Sequence, residues 1–266
     1  MSKVRFLFAF LVLLNVGCIP LLFAEPTALS FSSSEINESS GIVKSRRYPN
    51  LFWTHNDSGD TARIFAIRED GKLVAEIAIE GAGNVDWEDI AMGEDGQMYL
   101  CDIGNNVARG DSDLAIYLIP EPNPETDKGV AVIRAIKFTY EGASQNAEAC
   151  FFASKKLYIL TKHRRSLTEL YRLDPLKEEQ VAEKISEYPM GLVTGADVSA
   201  DGKKLAVLTY MGIHLFDKPK KNDNYLAGTH KMINFFFGQA EGIAFFNDSS
   251  LLITNEEGQL IKVPYK

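Results

Sequence analysis

The chain has 266 residues, 45% of them hydrophobic, and carries 36 acidic side chains against 28 basic ones for a formal charge of −8. That balance excludes nucleic acid as a partner, because polyphosphate is held by clustered Lys and Arg. The apolar content excludes a disordered chain, and the length suits a single all-β domain.

Residues 1–24 stand apart. Lys3 and Arg5 precede an apolar run from Phe6 to Val16, and Leu22-Phe23-Ala24 sets a small residue before Glu25. This is the pattern of a secretory signal peptide, too short for a membrane span and ending near Pro20. Cys18, after Asn15-Val16-Gly17, offers a lipoprotein cleavage site as a second reading, although Asn15 stands where Leu is usual. Cleavage after Ala24 removes Lys3 and Arg5 and no acid, so the charge moves from −8 to −10. The expectation is an exported monomer, periplasmic or extracellular, whose mature part, 25–266, is one domain without a transmembrane segment. Cys101 and Cys150 remain, each in an apolar strand-like run that suits a small buried hydrophobe. An oxidising compartment leaves a disulfide open.

From Thr27 onward the chain reads as a repeated unit. Five openings, at Ser40, Glu88, Glu148, Asp197 and Glu241, each lead into a short apolar strand, a polar turn and a second strand. Thus Ile90-Ala91-Met92 passes through Gly93-Glu94-Asp95-Gly96 into Met98–Asp102, and Ser154-Lys155-Lys156, Asp201-Gly202 and Asn247-Asp248 mark the same turn later. Third strands follow at Ile64–Ile67, Ala115–Ile119, Glu169–Leu173, Ile213–Phe216 and Leu260–Val263, and a fourth is visible after most of them. The runs are rich in β-branched and aromatic residues and are cut by turns too often for helices. Four-stranded units in series predict a β-propeller, most simply with five blades, although the long stretch between Asn105 and Ala147 could hold a sixth. The last unit lacks a fourth strand, and Thr27–Phe31 is a strand without a unit. The N-terminal strand is therefore expected to close the ring.

In a propeller the first strand of each blade lines a central channel, so Ser40, Glu88, Glu148, Asp197 and Glu241 would ring one mouth of it. Converging carboxylates repel unless protonated, hydrated or bridged by a cation. Oxygen ligands from separate blades favour calcium, while water-mediated capping of strand ends is the alternative. Zinc is disfavoured by the four histidines and the lack of HExxH or a Cys pair. Loops after the second strands add Asn56, Asp57, Asp102, Lys162, Arg164, Arg165 and Asn255 as candidate ligand-binding residues. Lys162, Arg164 and Arg165 could meet the far end of an anionic molecule or pair with the acidic loops. His55 and His163 are the candidate general bases. Trp53 and Trp87 suit wedging between blades better than stacking on a substrate. No GxSxG, SxxK, Walker or dinucleotide pattern is present.

Asn37-Glu38-Ser39-Ser40-Gly41, His55–Asp60, Asp86–Ala91 and Asp102–Asn106 resemble the markers of a family of secreted bacterial propeller proteins, mostly uncharacterised. The chain is also distantly similar to the calcium-activated nucleotidases, five-bladed propellers with one central calcium. That resemblance implies Ser40, Glu88, Glu148 and Glu241 as ligands, with Asp197 standing where that family would offer a Ser. Two functions follow as expectations: a binding module of the cell envelope, taking a glycan, a small anionic molecule or an envelope protein, and a calcium-dependent hydrolase of small phosphoesters or related anionic esters.

Overall fold

The computed structural model describes residues 26–105, 114–164 and 167–266. The signal peptide, the lipoprotein reading of Cys18 and the candidate Arg165 lie outside them. Strand β1 (Thr27–Ser30) comes first. A first antiparallel unit follows, β2 (Ser39–Lys44), β3 (Leu51–Asn56), β4 (Arg63–Arg68) and β5 (Leu73–Glu80). The second holds β6 (Trp87–Met92), β7 (Gln97–Asp102), β8 (Ala115–Pro120), a short β9 (Gly129–Ala131) and β10 (Arg134–Tyr140). The third is β11 (Ala147–Ala153), β12 (Lys156–Thr161), β13 (Thr168–Leu173) and β14 (Glu179–Tyr188). The fourth is β15 (Val193–Val198), β16 (Lys204–Thr209), β17 (Gly212–Asp217) and β18 (His230–Asn234), and the fifth β19 (Ala240–Asn247), β20 (Ser250–Asn255) and β21 (Gln259–Pro264).

The first strands β2, β6, β11, β15 and β19 stand side by side in a ring around a central axis. β1 pairs antiparallel with β21, Thr27 opposite Lys262, and supplies the fifth unit with its fourth strand. The fold is thus an all-β propeller. Its hairpins close where turn residues adopt left-handed backbone: Gly96 (φ 77°), Gly202 (φ 70°), and the non-glycine pair Ser154 and Lys155. Because each sheet is apolar on both faces, it can be buried only against another sheet. Each apolar cluster accordingly draws on two adjacent units; Val43, Trp53 and Ile77 of the first, for example, pack with Trp87, Ile90 and Leu100 of the second. Both tryptophans are fully buried there as wedges, Trp87 donating Nε1–H to Gly83 O at 2.7 Å and Trp53 to Glu121 Oε1 at 3.0 Å.

Three features tie neighbouring units together. β9 pairs in parallel with β5, β10 pairs in parallel with β14, and Cys101 of β7 is disulfide-bonded to Cys150 of β11. The two cysteines, read as small buried hydrophobes, are both buried and bonded, because β7 and β11 face each other across the seam between the second and third units. The fourth strand of the second unit begins at Arg134, later than the apolar run from Ala131 suggests, since Gly129–Ala131 is drawn off to β5.

On the fourth unit, His214 and His230 stack with ring centroids 5.0 Å apart, His214 Nδ1 lying 3.0 Å from His230 Nε2 beside Phe216 and Tyr188. Burial, with His230 adding to it, lowers the His214 pKa from 6.5 to about 4. Between those values the unfolded chain holds the proton and the fold does not, so this residue makes stability fall as pH drops from 6.5 towards 4. We expect His214→Phe to flatten that part of the stability curve relative to wild type in denaturant titrations; an unchanged difference across the window would refute the assignment.

Candidate functional site

Each inner strand opens with a break in register: between Ser39 and Ile42, Trp87 and Asp89, Ala147 and Ala149, Val193 and Gly195, and Ala240 and Gly242. A bulge places an extra residue on one strand and re-aims its side chain. The residues so placed are Ser40, Glu88, Glu148, Thr194 and Glu241, all buried at the same end of the channel. Four of them are the expected ring residues. The fourth unit contributes Thr194, and Asp197 lies three residues further along β15, at the opposite mouth with Arg46 and Phe245. The hairpin of this unit has a longer turn, which misleads spacing counted from the second strand. Counted back eight residues from the turn glycines, Gly96 leads to Glu88 and Gly202 to Thr194.

Residues next to the bulges set how closely the inner strands converge. A Cβ on Gly195 would lie 2.5 Å from Glu241 O, and one on Gly242 2.6 Å from Ser40 O. The second unit has Asp89 at this level, and its carboxylate sits on the axis. Oδ1 accepts from Ile90 N at 2.8 Å, and Oδ2 accepts from Cys150 N at 2.9 Å and Ala196 N at 3.1 Å, so one side chain joins the second, third and fourth units. Burial raises its pKa well above the ordinary value, against the pull of those three N–H donors.

The ring divides into two halves with different partners. Glu148 accepts from Asn146 Nδ2 at 2.9 Å and from Lys162 Nζ at 3.0 Å. Glu241 accepts from the Tyr210 hydroxyl at 2.5 Å, and that hydroxyl is 3.4 Å from Lys162 Nζ. Burial and the neighbouring acids raise the Glu241 pKa to about 7, while Lys162 and Tyr210 pull it down. Lys162 thus already neutralises this half. Ser40 donates its hydroxyl to Glu88 O at 2.8 Å and Thr194 donates to Ala240 O at 2.7 Å, so both protons are committed to the next inner strand.

The other half is a cluster of carboxylates. Asp57, Asp86 and Glu88 each bring one carboxylate oxygen to within 4.8 Å of the other two. Glu88 is 3% exposed, and its Oε1 is buried without a hydrogen-bond partner. Burial, then the charge of Glu148 and a side-chain hydrogen bond with it, then the charges of Asp57 and Asp86, raise its pKa well above the ordinary carboxylate range. Asp57 is pushed up to about 6, chiefly by burial and then by neighbouring acids, against the Ser58 amide. Gly104 lets the carboxylates pack against its backbone: a Cβ there would lie 2.1 Å from Glu88 Oε1 and 2.4 Å from Asp86 Oδ2. A buried, unpartnered carboxylate oxygen within 4.8 Å of two further carboxylates fits a hard cation held by oxygen ligands.

The last residues of the second strands hold the loops around this mouth. Asn56 accepts from Glu38 N at 3.4 Å and donates to Asp60 Oδ2 at 2.8 Å. Asp102 accepts from Asp86 N at 3.0 Å and Val85 N at 3.4 Å, which fixes the turn entering β6. Asn255 donates to Gln259 Oε1 at 2.9 Å and to Phe237 O at 3.3 Å. These three expected ligand-binding residues therefore position loops, and Asp57 alone of the acidic and amide set points into the cluster. Asn84 steadies the Asp57 loop, donating to Asp57 O at 2.9 Å.

Of the candidate bases, His55 is fully buried against Trp87, with Nδ1 3.0 Å from Asn56 O and a pKa lowered to about 4, mainly by burial. His163 is half-buried in the loop after β12, and Arg164 is exposed beside it. Asp86, Tyr210 and Thr194 are the members of the mouth that sequence reasoning missed.

No protein-family model matches the chain, and no curated protein sequence matches it. Among solved structures it is similar to virginiamycin B lyase from Staphylococcus aureus, with 14% identity and a TM-score of 0.45 over 86% of this chain and 66% of that one. The chain therefore spans about two thirds of the lyase. It is also similar to the PQQ-bound aldose sugar dehydrogenase from Streptomyces coelicolor, with 9% identity and a TM-score of 0.53 over 91% of this chain and 98% of that one. At such identity the likeness to the dehydrogenase shows the propeller fold and carries no activity with it.

Proposed function

We propose that the protein is an exported propeller whose acidic mouth holds one hard divalent cation, calcium by preference, at Asp57, Asp86 and Glu88, and that this loaded mouth serves as a binding face for an envelope partner or glycan. The observation that carries the cation is Glu88 Oε1, buried and unpartnered between two further acids. The cation would relieve the repulsion that raises the Glu88 and Asp57 pKa values and would hold the β3–β4 loop to the start of β6. Export is supported by the sequence of residues 1–24 and by the Cys101–Cys150 bond, which belongs to an oxidising compartment.

A binding role is favoured over ester hydrolysis for a physical reason. Hydrolysis asks Lys162, Arg164 and Arg165 to meet a substrate anion and His55 or His163 to act as base; of these, the Lys162 ammonium is already 3.0 Å from Glu148, and His55 is buried and hard to protonate. The test is a thermal melt of the mature protein with calcium and with chelator. We expect calcium to raise the melting temperature by several degrees at about a hundredfold excess over Kd, equivalent to about 2.7 kcal/mol. Glu88→Gln and Gly104→Ala should abolish the shift, while Glu241→Gln should keep it. A shift that survives Glu88→Gln would move the site elsewhere, and equal melts with calcium and chelator in wild type would remove it.

A further inference from the structure

At the opposite end of the channel lies a cavity of about 730 Å³, formed by the far ends of β2, β6, β15 and β19 and the turns after β15 and β19. Its character is the reverse of the acidic mouth. Val43, Met92, Val198 and Phe245 give apolar walls, and Lys44 and Arg46 bring two cations from the end of β2. Lys44 is fixed in place, donating to Phe246 O at 2.6 Å. Arg46 is exposed at the rim, on the first unit, facing Asp197 on the fourth.

Asp197 is the acid within the cavity, and it is capped. Oδ1 accepts from Val198 N at 2.8 Å and Oδ2 from Phe245 N at 2.7 Å, and burial raises its pKa to about 7. Its role is to lock β15 to β19, and both of its oxygens are turned to backbone N–H groups. Asp248, in the exposed turn after β19, lines the rim on the side of the fifth unit. An amine entering here would meet Lys44 and Arg46, whereas a carboxylate would meet a guanidinium with its fork of donors open. The volume lies within the range of small-molecule sites, which pair apolar walls with a few placed polar groups.

We propose that this opposite mouth binds a small organic acid, its carboxylate on Arg46 and its apolar body against Met92, Val198 and Phe245. The site is independent of the cation at the acidic mouth.

The probes are 3-phenylpropionate and its neutral counterpart 3-phenylpropanol, titrated into the ¹⁵N-labelled mature protein and followed by amide shifts. The acid should perturb the amides of Met92, Val198 and Phe245 and bind at least about tenfold more tightly than the alcohol, the effect of one charge-assisted hydrogen bond. Arg46→Ala, a change at an exposed residue, should weaken the acid by about the same factor and leave the alcohol unchanged, with Arg46→Lys in between. Calcium should leave both affinities alone. Equal binding of acid and alcohol, full affinity in Arg46→Ala, or shifts confined to other parts of the protein would overturn the proposal.

Discussion

Asp89→Ala is expected to cost the fold about 3–5 kcal/mol, the largest effect of any single side chain on the channel axis. The carboxylate is 0% exposed and receives N–H groups from its own strand, from β11 and from β15. Truncation would leave the amides of Cys150 and Ala196 buried without acceptors, each at about 1–3 kcal/mol, and would open a void where inner strands converge. Asp89→Asn separates charge from acceptor. Its carbonyl oxygen can still receive Cys150 N and Ala196 N, so the loss should be less than half that of alanine. Guanidinium denaturation at neutral pH measures both. A difference below about 0.5 kcal/mol between wild type and Asp89→Ala would mean that the axis is held by the sheets alone.

Breaking the Cys101–Cys150 bond should cost about as much. The bond joins positions 49 apart in sequence, and the chain-entropy estimate for a loop of that size is about 4 kcal/mol. Both sulfurs are buried, so the clean variant is the double alanine rather than serine, which would add two hydroxyls to the core. The parallel pairing of β10 with β14 crosses the same seam and should keep the second and third units together in the native state. The loss should therefore appear as a lower denaturation midpoint with the native amide spectrum retained. Equal midpoints for the double alanine and the oxidised wild type would contradict a stabilising role for the bond.

Much of this architecture was legible in the sequence, because the information was local. Turn residues such as Gly96 and Asp201-Gly202 and short apolar runs specify hairpins on their own, and a stray strand at Thr27 facing an incomplete last unit specifies closure. The ring was legible at Ser40 and wherever a Glu stands at the bulge. Thr194 carries no charge to draw the eye, and Asp197, three residues later, carries the wrong one. What could not be read is what depends on units meeting in space. The pairing of Cys101 with Cys150 and the diversion of Gly129–Ala131 to β5 both cross seams that no sequence interval encodes. The same holds for Asn56, Asp102 and Asn255. They look like ligand residues because they end strands at the mouth, and their hydrogen bonds show that they hold the loops there.

Splitting the ring changes what a cation would meet. A five-residue ring would call on Glu148 and Glu241, and both already have cationic or hydroxyl partners. Glu88 Oε1 is buried without a hydrogen-bond partner, and Asp57 and Asp86 bring their carboxylates to it. Calorimetric titration of calcium into the metal-stripped mature protein tests this most directly. The account predicts one site per chain, lost in Glu88→Gln and retained in Glu241→Gln. Absence of binding to wild type, or binding of full strength in Glu88→Gln, would contradict it.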